Sequence, residues 1–272
     1  MNEQIRAVTA AISARTQNYL PETAIILGSG LGGLADNIEN PIIIPYEEIR
    51  DFPHSTVQGH AGRLVIGTLG GKEVVCLQGR VHLYEGHTPE KISLVIRVLR
   101  SLGVKNLILT NAAGSVKKDM PSGSLMVISD HINFSGFNPL IGINDDNFGP
   151  RFPDMSYAYN LEFRNAIKEC GKKEDVDMFE GSYLMVAGPN FETPAEIRAF
   201  QTLGASAVGM STVPECLVAV HCGMKVAGIS VITNYGSGMV KEKQTHDETI
   251  EQADKASKKL QKILTRFIKE KI

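Results

Sequence analysis

Residues 181–211 read GSYLMVAGPNFETPAEIRAFQTLGASAVGMS, and the order of apolar, small and polar residues in them decides the architecture. The apolar run 183–186 has the length and composition of a strand. It passes through Gly188-Pro189 into Phe191-Glu192-Thr193, and Pro194 then opens a helical pattern over 194–203. A second short strand, 207–210, delivers Met210 and Ser211. Strand, loop, helix, strand is the repeating unit of an open α/β sheet, which keeps its chemistry on loops beyond the strand ends. Those loops here carry an aromatic ring, a carboxylate and a hydroxyl.

The same alternation extends outward in both directions. Further strands are expected at 24–27, 42–46, 64–69, 74–77, 106–109, 125–128 and 226–232. Several are unbroken apolar runs with β-branched residues, as strands buried on both faces require. Helices are expected at 4–19, 89–102, 157–170, 214–221 and 246–269. The last has Ile250, Ala253, Ala256, Leu260, Ile263 and Phe267 at helical spacing, the signature of a docked amphipathic helix. Between elements, 135–155 is rich in Gly, Pro, Asn and Asp, and so long a loop points to function or to a covering partner. No repeat or linker interrupts the pattern, and one α/β domain over 1–272 is the expectation.

With 272 residues, 43% apolar and 21% charged at net charge −2, the chain has the composition of an ordinary soluble globular protein. No basic excess suggests a nucleic-acid surface, and no apolar run reaches membrane-spanning length. The N-terminal residues lack a signal-peptide core, so a cytoplasmic location is expected. Cys76, Cys170, Cys216 and Cys222 form no CxxC pair and read as buried free thiols, not zinc ligands or disulfides.

Gly28-Ser29-Gly30-Leu31-Gly32-Gly33 follows the strand 24–27 and satisfies G-x-G-x-x-G, with Glu47 and Glu48 about 20 residues on. Three readings fit: a dinucleotide site, a loop whose N–H groups and Ser29 hydroxyl hold a single phosphate, and a plain tight turn. The dinucleotide reading stands behind the other two. Asn40-Pro41 leaves room for a helix of only about seven residues, short for a βαβ crossover.

After the strand 74–77, continued strand alternation sets Arg80, His82 and Tyr84 on one side and Val81 and Leu83 on the other. Arg offers a planar fork suited to phosphate oxygens, His a donor, and Tyr a ring edge and a hydroxyl. A solvated polar face is the plain alternative. His60 is a candidate for the same neighbourhood or a locally bonded loop residue, and Asn111-Ala112-Ala113-Gly114 permits close approach of a ligand to backbone.

Glu192 alone reads as a carboxylate at a helix N-terminus, and Asn234 alone as a turn residue. Together they suit a 6-oxopurine: Glu192 accepts from N1–H, Asn234 donates to O6 or N7, and Phe191 borders the ring. Nothing in their spacing brings them together.

The motifs GSGLG (28–32), GHAGRLV (59–65), QGRVHLYEG (78–86), TNAAG (110–114), DHINF (130–134), RFPDMS (151–156), VAGPNFETPAE (186–196), VGMSTVPE (208–215) and ITN (232–234) resemble, in order, those of the trimeric purine nucleoside phosphorylases. The resemblance runs from about residue 20 to about 267 and implies a mixed central sheet with surrounding helices. It also implies phosphorolysis of 6-oxopurine nucleosides, with phosphate as co-substrate and no metal or cofactor. By the same resemblance Ser29, Arg80, His82, the Ala112 backbone and Ser211 hold phosphate. Tyr84, Met210 and His246 meet the ribose, and Glu192 and Asn234 hold the base. Asn234, Glu192 and His82 are the implied catalytic residues, with His60 and Asn111 behind them. Phe152 would reach into a neighbouring subunit's site, which implies a homotrimer. Related methylthioadenosine phosphorylases carry Ser and Asp where this chain has Glu192 and Asn234, which argues against 6-aminopurines. Departures from the family pattern are Ser115 in place of a Gly, Val81, His87 and the segment 235–245.

Overall fold

The structure is a computed structural model and describes residues 3–17, 21–57, 61–240 and 246–272, with side chains of the last stretch from 252. Nine strands form its centre: β1 (Thr23–Ile26), β2 (Glu39–Pro45), β3 (Arg63–Leu69), β4 (Lys72–Gln78), β5 (Asn106–Ser115), β6 (Leu125–Asn133), β7 (Met178–Met185), β8 (Ala207–Gly209) and β9 (Lys225–Tyr235). Six helices surround them: α1 (Glu3–Arg15), α2 (Pro89–Ser101), α3 (Leu161–Lys173), α4 (Pro194–Thr202), α5 (Val213–His221) and α6 (His246–Lys271).

The strand order is β2-β3-β4-β1-β5-β8-β7-β6-β9, and β5 also pairs with β9. The second pairing closes β5, β8, β7, β6 and β9 into a ring, from which β1, β4, β3 and β2 extend as an open wing. The sheet is mixed: β1 is parallel to both β4 and β5, and β5 is parallel to β9 but antiparallel to β8. β5 and β6 run furthest past their expected ends. β5 continues from Leu109 to Ser115 and β6 from Ile128 to Asn133, because their polar residues still find ladder partners on β9 and β7.

Apolar faces determine where the helices sit. Ile5, Val8 and Ile12 of α1 join Leu94, Val95 and Val98 of α2 and Val213, Cys216 and Leu217 of α5 in one core. On the other face Ile167 of α3 and Leu260, Ile263, Leu264 and Phe267 of α6 pack with Ile25, Ile108 and Ile229. A fully buried side chain of that size is worth roughly 1.5–3 kcal/mol each, so α6 is a major tie across the sheet. Helix α3 begins four residues later than the expected 157, at the Asn160 cap whose side chain accepts from Phe163 N. All four cysteines are buried and free. Among the described residues no helix is long and apolar enough to cross a membrane, and no cluster of metal-ligating side chains occurs.

The Gly-rich turn after β1 does not open an α-helix. A six-residue 3-10 turn, Gly32–Asn37, follows it and leads directly into the edge strand β2. The parallel crossover that a dinucleotide motif requires is therefore missing at this point.

Candidate active site

One cleft lies beyond the carboxyl ends of β1, β4, β5, β7 and β9. It leaves about 110 Å³ for the centres of water-sized molecules. Ser29, Arg80, His82, Tyr84, Asn111, Ala112, Phe191, Glu192, Met210, Ser211 and Asn234 all line it. Of the described predicted residues, Phe152 is absent from that wall. Phe152 is 87% exposed on the long loop. His60 and the His246 side chain lie outside the described residues.

Close backbone approach makes the oxyanion side. A Cβ on Gly28 would stand 2.7 Å from Asn111 Cα, so only glycine lets the end of β1 meet β5 there. Thr110 Oγ1 stitches the two strands, donating to Ile26 O and accepting from Gly28 N, each at 3.1 Å. Arg80 Nη1 donates to Thr110 O at 2.8 Å and to Ser211 Oγ at 3.1 Å. Arg80 Nε lies 2.6 Å from Glu215 Oε1, in the first turn of α5, and both side chains are buried. Glu215 and Thr110 were not foreseen as part of this site. A carboxylate inside the otherwise apolar VPECLVAVH was the available signal for Glu215.

Strand alternation does not align Arg80, His82 and Tyr84. β4 stops at Gln78, Gly79 turns the chain at φ 139°, and Leu83–Glu85 form a 3-10 turn. The three side chains converge by another route, with the His82 and Tyr84 rings stacked at 4.6 Å between centroids. Glu85 Oε1 accepts from His82 N at 2.8 Å and lies 2.9 Å from His82 Nδ1. Burial favours a protonated Glu85, yet hydrogen bonds from His82 and from Thr56 N and Oγ1 outweigh it and bring the carboxyl down to about 2. Burial lowers the His82 pKa below its ordinary value, with Glu85 opposing. A neutral imidazole beside an ionised carboxylate carries its proton on Nδ1, which leaves Nε2 a lone-pair acceptor. The fixed positive charge in the cleft thus comes from Arg80, not from His82.

A β-bulge shapes the opposite wall. β9 pairs Ile232 with Ala113 and Asn234 with Gly114, so Thr233 is one residue too many and the strand bends. Thr233 Oγ1 donates to Asn234 Oδ1 at 2.7 Å, and Asn234 Nδ2 donates to Tyr235 O at 3.0 Å. A Cβ at Gly114 would stand 3.1 Å from that Nδ2, so the glycine makes the room in which the amide sits. Glu192 does not cap α4. Thr193 and Glu196 form the capping box, leaving Glu192, 8% exposed, to the cleft. Burial raises its pKa above the ordinary carboxylate value, and Glu196 adds to the shift.

A family model described as "Phosphorylase superfamily" matches residues 22–269. Purine nucleoside phosphorylase 1 of Bacillus subtilis (strain 168) is 49% identical over 255 residues, covering 94% of each chain. A crystal structure of Schistosoma mansoni purine nucleoside phosphorylase in complex with adenosine superposes with TM-score 0.94 at 37% identity, covering 99% of this chain and 98% of that one. The same enzyme in complex with inosine gives TM-score 0.93 at 36% identity, over 98% and 96% of the two chains. The chain belongs to the phosphorylase superfamily and, within it, to the purine nucleoside phosphorylases.

Proposed function

We propose that the cleft carries out phosphorolysis of 6-oxopurine nucleosides, giving the free purine and ribose 1-phosphate. The observation that carries this reading is the meeting, in one cleft, of an Arg80–Ser211–His82 oxyanion set with the Glu192 carboxylate and the Asn234 amide. The curated relatives named purine nucleoside phosphorylase support the reaction class.

Phosphate is held by Arg80, Ser29, Ser211 and the Ala112 backbone, and its remaining O–H donates to Nε2 of neutral His82. Tyr84 and Met210 border the ribose, as does His246 by resemblance. As the C1′–N9 bond breaks, its electron pair passes to the purine and the sugar becomes oxocarbenium-like. A phosphate oxygen then forms the new C1′–O bond. Glu192 accepts from N1–H, Phe191 borders the ring, and Asn234 Nδ2 donates to O6 or N7 as negative charge builds on the base. The Thr233 hydroxyl occupies Asn234 Oδ1 and fixes which end of the amide donates. No side-chain nucleophile is required, and catalysis rests on positioning and on stabilisation of developing charge.

The assembly is read as a homotrimer in the cytoplasm, without cofactor or metal. Phe134, Phe137, Ile141, Ile143, Phe152 and Tyr157 are exposed apolar residues in one stretch of chain, which supports a subunit contact there.

Incubation with inosine and varied phosphate tests the reaction. Equal yields of hypoxanthine and ribose 1-phosphate, at a rate that saturates with phosphate, are expected. Hypoxanthine with free ribose would mean hydrolysis and overturn the reading.

A further inference from the structure

Arg80 is gripped from behind by a carboxylate that does not line the cleft. Its Nε is 2.6 Å from Glu215 Oε1, with the two side chains 2% and 5% exposed. Around Glu215, α5 buries Val213, Pro214, Cys216, Leu217 and Val218. Tyr46, Phe52, Ile92 and Val95 line an apolar cavity that reaches both members of the pair. A charge among such residues costs several kcal/mol in lost hydration unless a partner of good geometry offsets it. The helix N-terminus favours the carboxylate, and the surrounding low dielectric strengthens its pull on the guanidinium.

An unrestrained Arg side chain samples many rotamers, whereas an oxyanion needs its planar fork in one orientation. Three contacts define that plane here: Nε at Glu215, and Nη1 at both Thr110 O and Ser211 Oγ. Thr110 lies within β5 and Ser211 just beyond β8, and both meet the guanidinium at Nη1. Glu215 meets the guanidinium at Nε, from α5.

We infer that Glu215 is a positioning residue for the phosphate co-substrate, fixing the plane in which Arg80 meets the oxyanion. The inference rests on the phosphorolytic reading above. It predicts that loss of Glu215 acts on phosphate and spares the nucleoside.

The test is steady-state kinetics of Glu215→Ala and Glu215→Gln, varying phosphate and inosine separately, with thermal melts of both variants. Glu215→Ala is expected to raise the KM for phosphate by roughly tenfold or more while the KM for inosine moves less than about twofold. Glu215→Gln keeps an acceptor oxygen at the same reach and is expected to recover most of the phosphate KM. Should Glu215→Ala fail to fold, Glu215→Asp replaces it, since its carboxylate falls one methylene short of Arg80 and should raise the phosphate KM where Gln does not. Equal changes in both KM values, or a wild-type phosphate KM in every folded variant, would overturn the proposal. So would a phosphate KM below wild type in Glu215→Gln, which would make Glu215 a mere counter-charge. A wild type whose base release ignores phosphate would overturn the phosphorolytic reading itself, an outcome separate from all of these.

Discussion

The Asn111 amide donates to the Thr212 hydroxyl over 2.8 Å, and both residues are buried. Thr212 stands at φ 76°, ψ −47°, and Val213 N bonds to Ser211 O at 2.8 Å, which makes a γ-turn of the rare positive-φ kind. A β-branched residue there costs about 1–3 kcal/mol of strain, and such strain persists only where surrounding bonds hold it. The turn directly follows Ser211, whose Oγ meets Arg80. Asn111 thus maintains the strained bend that presents Ser211 to the oxyanion side of the cleft.

Asn111→Ala should therefore lower unfolding free energy by about 0.5–1.5 kcal/mol, the usual net worth of one hydrogen bond, since the Thr212 hydroxyl keeps Ser211 Oγ as a partner, and should raise the KM for phosphate. Urea denaturation with parallel kinetics measures both. Unchanged stability would mean that the turn is held without the amide.

Asn234→Ala should reduce kcat on inosine by about 10²–10³, the usual loss when one donor aimed at developing charge is removed. Thr233→Val should lower kcat by less, roughly tenfold, because the donor stays and only its orientation is freed. Single-turnover rates separate this from product release. A near-wild-type rate in Asn234→Ala would remove the residue from the chemistry.

Glu192 accepts from a purine N1–H most strongly when ionised. Burial raises its pKa, so the KM for inosine should climb as pH falls through that raised value and level off above it. Glu192→Gln should abolish this acidic limb and weaken base binding. The raised pKa also means that the folded protein holds its proton more tightly than the unfolded chain does, so the ionised carboxylate destabilises the fold at neutral pH. Glu192→Gln should accordingly melt higher than wild type at pH 7 despite its lower activity, a trade common at functional sites. A pH-independent inosine KM would contradict the role.

Glu85 titrates in the opposite sense. Its folded pKa is about 2 against an ordinary 4.5, so its contribution is fully present above the unfolded value and disappears as pH drops from about 4.5 toward 2. Buried His82 adds a separate loss that begins as pH falls below its ordinary 6.5, where the unfolded chain takes up a proton that the folded state resists. Glu85→Gln should flatten the stability profile in the lower window, read by denaturant titration at several pH values. An unaltered profile would show that the His82–Glu85 bond carries no net weight.

Much of the architecture was legible because buried strands announce themselves as apolar runs. All nine strands and six helices occur where the pattern predicts them, and the errors are at ends. β5 outran its expected limit because Thr110, Asn111 and Gly114 are polar or small, yet they pair along β9. The ring closure through β5 and β9 was not legible, since pairing partners leave no local mark. Arg80, His82 and Tyr84 were found by residue type, although a 3-10 turn and ring stacking, not strand alternation, assemble them. Glu85 and Glu215 were missed because each acts through another residue. Thr233 was missed because a bulge is a property of two strands, not of one segment.

Base release from inosine and from adenosine, each with and without phosphate, tests the central claim most directly. The cleft described here predicts phosphate-dependent hypoxanthine release, little adenine release, and no release from either nucleoside when phosphate is omitted. Release that persists without phosphate, or adenosine cleaved as fast as inosine, would contradict it.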